Sequence, residues 1–454
     1  MKQGLTGTQL FLMSFGGIVG VGWITVLGQW LSLAGPGGSV IALVAGMLAM
    51  LLVASSYAFL AGEERLTSGG EINAVEDLLG HAAGYAVSTA LALSCISVVA
   101  FEAVSTGWIL VTLFPALEGS VIYHAFGREV HSGTVVIALL ATVGFALLNL
   151  RPVGHTARAQ NVVVLLKIAI TVVFCSASVL KGDTQNLLPL LVPASPERSV
   201  IGGILAMATT MPLWFAGFNV VAQLAGERDV SVSAKTVGRT MHLSIMAACV
   251  FYICIVLAAA YVVPWQSLLS APLPAATAFR EGLSSSLLAN MVLIAGLLGI
   301  FSAGIACFTA ATRVLNLLWR QLKPGSLPHT ARASAVVRAG PATLVIAATA
   351  MLSSLAGMAA LIPIVNVASL CTAMVYLLMC AAAWKHAARL QDRIRAVLGA
   401  CVAAFMCGYV IFSAMDEAGW VAPEVVITFL WIFLAVISWL FRSKDMQHAT
   451  SSIQ

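Results

Sequence analysis

Ser14-Phe15-Gly16-Gly17-Ile18-Val19-Gly20-Val21-Gly22-Trp23 lies in the middle of the first apolar run, and how it is read decides the fold. Four glycines, at 16, 17, 20 and 22, fall within seven residues. Each disfavours a helix interior by roughly 0.5–1 kcal/mol relative to alanine. In hydrocarbon a broken helix also exposes N–H and C=O groups that lipid cannot satisfy. Such a break persists only where it is buried in protein or faces a polar cavity. There the freed N–H groups that open one half-helix favour an anion, and the freed carbonyls that close the other favour a cation. A zwitterion with both charges on one carbon suits that arrangement. The plainer reading is that the glycines let neighbouring helices pack closely, and the rest of the chain decides between the two.

The chain has 454 residues, 60% hydrophobic and 9% charged, far from the composition of a soluble domain. Apolar runs of about 20 residues, each long enough to cross a ~30 Å hydrocarbon core, recur along the whole length. Twelve spans are expected, at 8–33, 37–61, 83–114, 134–150, 160–180, 200–225, 240–262, 288–319, 339–358, 360–384, 395–415 and 423–441. The fold class is therefore all-α and polytopic, one transmembrane domain over 1–454 whose core is the helix bundle itself. Pro36-Gly37-Gly38 is expected to make the first turn, and Arg151-Pro152-Val153-Gly154 to separate spans four and five. Lys2 is followed by the first span with no small-residue cleavage site, so no removable signal peptide is expected. All nine cysteines fall inside apolar runs, where they act as small hydrophobes. None has metal-ligand spacing, so neither a metal nor a cofactor is expected. The partners expected are the lipid bilayer, a small molecule and protons, with no nucleic acid.

Lysine and arginine set the orientation. With the N-terminus inside, seventeen of the 23 lie on the inner side and four (Arg128, Lys181, Arg198 and Arg280) on the outer side. Lys167 and Arg313 fall within or near the ends of spans. An even number of spans then puts both termini in the cytoplasm of an inner-membrane protein. The net charge of +5 follows from this asymmetry and needs no acidic partner.

A second break is expected in span six, at Met211-Pro212-Leu213-Trp214-Phe215-Ala216-Gly217-Phe218-Asn219. Pro212 removes a backbone donor, and Gly217 loosens the helix further on. The two breaks are five spans apart. Five is odd, so the second unit crosses the membrane in the opposite direction. Paired interruptions at corresponding positions of two inverted halves point to a transporter's binding site.

Six motifs in order carry a family resemblance. They are Gly17-Ile18-Val19-Gly20-Val21-Gly22, Thr67-Ser68-Gly69-Gly70 with Leu79-Gly80, Asn149-Leu150-Arg151-Pro152-Val153-Gly154, Phe215-Ala216-Gly217-Phe218-Asn219, Ala225-Gly226-Glu227, and Arg313 with Ser326-Leu327-Pro328. Over nearly all its length the chain resembles the amino acid–polyamine–organocation (APC) superfamily permeases. The resemblance implies the LeuT-type fold, a 5+5 inverted repeat over about 8–180 and 200–384 with discontinuous helices 1 and 6 and two additional helices over 395–441. It also implies secondary transport of amino acids or related amines. The substrate carboxylate would meet N–H groups near Val21 and Gly22, and the amino group carbonyls near Ile18, Leu213 and Ala216. Many relatives have a hydroxyl residue where Val21 stands and an acid where Asn219 stands. Here the carboxylate would rest on backbone groups alone, and a cationic side chain is disfavoured.

Two charges lie deep in the spans. Lys167, in Val162-Val163-Val164-Leu165-Leu166-Lys167, is about 11 Å into span five at 1.5 Å per residue. Either it snorkels to the inner face, or it is buried, at a cost of about 2.5–3.5 kcal/mol on insertion scales. Several sodium-independent relatives have a lysine here, where sodium-coupled cousins hold an ion. The resemblance implies that Lys167 replaces that sodium, as a proton-coupling group or a fixed charge. Glu102 is roughly 18 Å from the outer end of span three, too deep for a short carboxylate to reach water. Three roles stay open for it: binding a substrate amine, carrying the proton, or holding a helix-packing hydrogen bond.

Trp214, Phe215 and Phe218 flank the second break, and Phe215 is the expected lid. Trp23 and Trp30 are expected to pack or to sit at the interface. Glu63, Glu64, Glu71, Glu76 and Asp77 read as a solvated cluster paired with nearby arginines, or as a gate against Arg151 or Arg228. The expected site is Gly17, Ile18, Val19, Gly20, Val21, Gly22, Glu102, Leu213, Phe215, Ala216, Gly217 and Asn219, with Lys167 and Glu102 as the coupling groups. The expected function is alternating-access transport of a neutral or small amino acid, sodium-independent, proton-coupled or by exchange. The alternatives are an amine or polyamine carrier and a transport-inactive sensor. An enzyme is not expected, because the spans hold no cluster of acids, histidines and cysteines at one depth.

Overall fold

The computed structural model describes residues 5–66, 70–125, 128–149, 156–193, 199–223, 228–229, 231–271, 273–322 and 340–451. Thr6 opens the first helix with a capping box, its hydroxyl accepting from the Gln9 N–H while the Gln9 side chain returns to the Thr6 N–H. That helix, α1 (Gly7–Ile18), stops in the glycine stretch, and the chain resumes as α2 (Gly22–Thr25) and α3 (Leu27–Gly62). The first turn lies inside α3 at Gly35, one residue ahead of the expected Pro36-Gly37-Gly38. Proline disfavours a helical residue before it, and Gly35 adopts φ 69, ψ 177. A side chain there would lie 2.8 Å from the Leu190 carbonyl oxygen.

A short helix, α4 (Gly70–Leu79), leads into α5 (His81–Leu113). A two-stranded antiparallel hairpin, β1 (Val121–Ala125) with β2 (Arg128–His131), then leads into α6 (Ser132–Asn149) and α7 (Thr156–Lys181). Span six is cut into α8 (Val200–Ala208), α9 (Met211–Trp214) and α10 (Val220–Gln223). After it come α11 (Ala234–Val262), α12 (Pro274–Thr277), α13 (Ser286–Leu322), α14 (Pro341–Ser354), α15 (Leu361–His386), α16 (Leu390–Ala418) and α17 (Pro423–Ser451).

Among the described residues, ten helical stretches are long and apolar enough to cross a membrane. Two segments expected as spans, 200–225 and 339–358, are not among them, because the first is interrupted twice and α14 has only 14 residues. The protein is a polytopic helical membrane protein. Its most buried long helix is α5, which packs along α13 and α15, while α11 packs along α3 and α1. Phe15, Trp23, Trp30, Phe251 and Tyr252 interlock edge to face where α1, α2, α3 and α11 meet. Trp23 and Trp30 are 1% and 2% exposed, so both are packing residues.

Candidate binding site at the two helix breaks

The first break runs from Val19 to Val21. The Val19 and Gly20 N–H groups still find the Phe15 and Ile18 carbonyls, at 2.8 and 3.0 Å. Beyond them α2 begins afresh, with the Ile24 N–H returning to the Val21 oxygen at 2.9 Å; a helix start leaves its first N–H groups without an intrahelical partner. Carbonyls close α1 on the other side, and two side chains from distant elements reach them. Lys167 of α7 donates from Nζ to the Val19 oxygen at 2.5 Å. Tyr252 of α11 places its hydroxyl 2.8 Å from the Ile18 oxygen and 3.1 Å from the Trp214 oxygen. One phenolic proton is thus shared between the carbonyl ends of α1 and α9.

The second break spans Thr209–Thr210 and Phe215–Asn219, on either side of α9. Pro212 sits in the first turn of α9, where a missing N–H breaks no hydrogen bond. The decisive residue is Gly217, at φ +122. A Cβ on it would lie 2.5 Å from the Gly17 carbonyl carbon and the Ile18 nitrogen. The two breaks therefore meet backbone to backbone. The Ser14 hydroxyl lies 2.6 Å from that of Ser244 and 3.5 Å from the Gly217 oxygen, holding the same junction. Leu213 and Ala216 belong to it as well, but the Leu213 oxygen already accepts from the Ala216 N–H at 2.9 Å.

Lys167 is 2% exposed, so it is buried rather than snorkelling. A Cβ on Gly299 of α13 would sit 3.3 Å from Lys167 Nζ and 3.5 Å from the Gly20 oxygen. The ammonium group is thus enclosed between α7, the first break and α13. Glu102, 3% exposed, comes down on the same break from α5, with Oε1 3.1 Å from where a Cβ of Gly20 would stand. Its Oε2 has no hydrogen-bond partner among the described residues. No ion pair within 4.0 Å joins Glu102 to Lys167 among the described residues, so the two charges attend the break from separate positions.

Among the aromatics, Trp214 is the ring against the first break. An added Cβ on Gly22 would run into its six-membered ring, and its Nε1 donates to Thr210 Oγ1 at 3.1 Å. Phe215, fully buried, lies against Tyr252 with ring centroids 6.1 Å apart. Asn219 spends both ends of its amide. Its Oδ1 accepts from the Gly217 N–H at 3.0 Å and its Nδ2 donates to Glu71 Oε1 at 2.7 Å. Glu71 is 1% exposed, so it does not belong to a solvated cluster. Glu64 does, at 81% side-chain exposure, and faces Arg228 at 3.9 Å. Arg151, Glu227 and the segments 67–69 and 326–328 lie outside the described residues.

Sequence reading missed Tyr252, Ser244 and Gly299, and it took Glu71 only as one acid of a solvated or gating cluster. The signal for Tyr252 is a phenol at mid-depth of span seven in a chain with only seven tyrosines. For Glu71 no comparable signal exists, because its neighbours 63, 64, 76 and 77 are acidic too.

The family model for amino acid permeases matches residues 5–443. Among curated proteins, the branched-chain amino acid permease BcaP of Bacillus subtilis (strain 168) is 24% identical over 349 residues, covering 72% of this chain and 69% of the relative. Cationic amino acid transporter 9, chloroplastic, of Arabidopsis thaliana is 28% identical over 305 residues, covering 65% and 52%. The amino-acid permease RocE of Bacillus subtilis (strain 168) is 23% identical over 328 residues, covering 69% and 65%. A match that runs through both breaks and nearly the whole helical bundle settles the assignment: the chain belongs to the amino acid permease family of the APC superfamily.

Proposed function

We propose that this protein is a secondary active transporter of neutral amino acids working by alternating access. In this reading the ten long apolar stretches, together with 200–225 and 339–358, make twelve spans. They form LeuT-type inverted repeats over about 8–180 and 200–384, followed by two further helices, in an inner membrane with both termini cytoplasmic. The observation that carries the reading is the convergence of both breaks on one hydroxyl, with the Ile18 and Trp214 oxygens 2.8 and 3.1 Å from Tyr252. A substrate carboxylate lies on the N–H groups of Val21 and Gly22. Its ammonium group meets the carbonyls around Ile18, Leu213, Trp214 and Ala216, while Gly17, Gly20 and Gly217 allow the close approach. Val21, Ile24 and Ile109 crowd around Gly296 and supply an apolar wall for the side chain. The branched-chain amino acid permease among the relatives supports an aliphatic substrate. Lys167, on the Val19 carbonyl, takes the place of a metal cation, so transport is sodium-independent and runs with protons or by exchange.

A second reading, an amine carrier of the same fold, is favoured by one observation, the Glu102 Oε2 beside Gly20 that has no partner among the described residues. One experiment separates the two. Purified protein in sodium-free proteoliposomes is offered labelled aliphatic amino acids and amines without a carboxylate, with and without an inward proton gradient. Saturable uptake of the amino acids supports the first reading, and uptake of the amines alone supports the second. Glu102→Gln is assayed beside it. Unchanged transport by that variant removes Glu102 from both substrate and proton handling and leaves it a packing role.

A further inference from the structure

The buried carboxylate of Glu71 has no part in the mechanism above, and a chain of contacts that begins inside the second break leads to it. Gly217 at φ +122 makes the turn, its N–H is taken by Asn219 Oδ1 at 3.0 Å, and Asn219 Nδ2 donates to Glu71 Oε1 at 2.7 Å. Glu71 is in the first turn of α4, where the helix dipole favours an ionised carboxylate. Around it close the Tyr57 ring of α3, Phe218 of the break and Tyr376 of α15, with centroids 5.2 to 6.0 Å apart. Among the described residues, ionisable groups that face it include the Tyr57 and Tyr376 hydroxyls and the Cys95 thiol of α5.

We propose that Glu71 is the latch of the second break. It is a positioning residue that acts through Asn219, fixing the Phe215–Asn219 turn against Gly17 and Ile18 and tying that turn to α4. This rests on the reading of the breaks as the transport site, and it deepens that reading by removing Asn219 from direct substrate contact. The amide is suited to the task because it donates to a carboxylate on one side and accepts from a backbone N–H on the other. A carboxylate in place of that amide keeps the second contact and loses the first. Two carboxylates at this distance cannot both ionise and would share one proton.

The test is Asn219→Asp, alone and combined with Glu71→Gln, read by uptake and by thermal stability of the purified protein between pH 5.5 and 8. Asn219→Asp is expected to transport within about twofold of wild type at pH 5.5 and to fall at least about tenfold relative to wild type by pH 8. Its melting temperature should fall in parallel relative to wild type. The double variant exchanges the two roles, so that an amide on α4 donates to a carboxylate in the break. It should recover the wild-type pH profile in both readouts. Glu71→Ala should lose transport, whereas Glu71→Gln, which keeps an acceptor oxygen, should retain it. An Asn219→Asp profile that overlays wild type, a double variant that keeps the pH loss, or an active Glu71→Ala overturns the latch. The melting curves need no substrate, so an absence of uptake by the wild type counts against the transport reading alone.

Discussion

The two breaks solve one problem in opposite ways. The first, Val19 to Val21, has no polar side chain of its own, and its freed carbonyls are met by Lys167 from α7 and Tyr252 from α11. The second is largely satisfied from within, although Tyr252 and Ser369 reach the Trp214 and Thr210 oxygens from α11 and α15. The Thr209 and Thr210 hydroxyls return to the Ala206 and Met207 carbonyls, Trp214 donates to Thr210, and Asn219 takes the Gly217 N–H. Backbone groups met by movable donors can exchange them for a ligand, and those met by their own neighbours serve as a support. In the proposed reading the first break, with the Trp214 oxygen that shares Tyr252, is therefore the exchangeable half of the site and the rest of the second break its scaffold.

The largest effect is expected where the two touch. Gly217→Ala puts a methyl group 2.5 Å from the Gly17–Ile18 peptide, at a φ that side chains avoid. Strain and overpacking together amount to roughly 2–5 kcal/mol. The variant should lose transport and melt well below wild type, and a wild-type melting curve would break the backbone-to-backbone junction. Next comes Lys167→Ala, which removes the donor from Val19. A hydrogen bond from a charged group is worth about 1.5–3 kcal/mol, so gradient-driven accumulation should fall by about ten- to a hundredfold. Accumulation with the ordinary pH dependence would end the coupling role. Tyr252→Phe should do less. It leaves two buried carbonyls without their shared proton, and a substrate ammonium would then face no competitor for them. A change in KM of about tenfold with a smaller change in maximal rate is expected. An unchanged KM would mean that the hydroxyl is a packing feature of the scaffold.

How much of this was legible in sequence follows the same division. The first break announces itself, because four glycines in an apolar run and two charges at mid-depth are visible without any partner. Lys167 and Glu102 both fall on that break. The supports were hidden for physical reasons. Tyr252 meets Ile18 across 234 residues, a contact that only packing can create. Glu71 looks like its solvated neighbours until α4 turns it beneath the aromatic cage. Trp214 rather than Phe215 faces Gly22 because helical phase is lost where the helix breaks, so facing cannot be counted from residue spacing. The turn at Gly35 was displaced by one residue because proline acts on the residue before it. The interruption of span six and the shortness of α14 likewise leave two expected spans without a single continuous helix as long as the other ten.

The smallest effect concerns two carboxylates seven residues apart in sequence. Glu64 and Glu71 read alike as acids of one cluster, yet one is 81% exposed in its side chain and the other 1% exposed overall. Glu64 faces Arg228 at 3.9 Å, a distance and setting in which water and salt screen most of the attraction. Glu64→Gln should therefore alter uptake by less than about twofold, and raising the salt concentration should alter the wild type no differently from the variant. A loss of fivefold or more would make Glu64 and Arg228 a gating pair, placing a second fastening on the segment after α10. The scaffold half of the site would then be held by charges at its surface as well as by the buried amide.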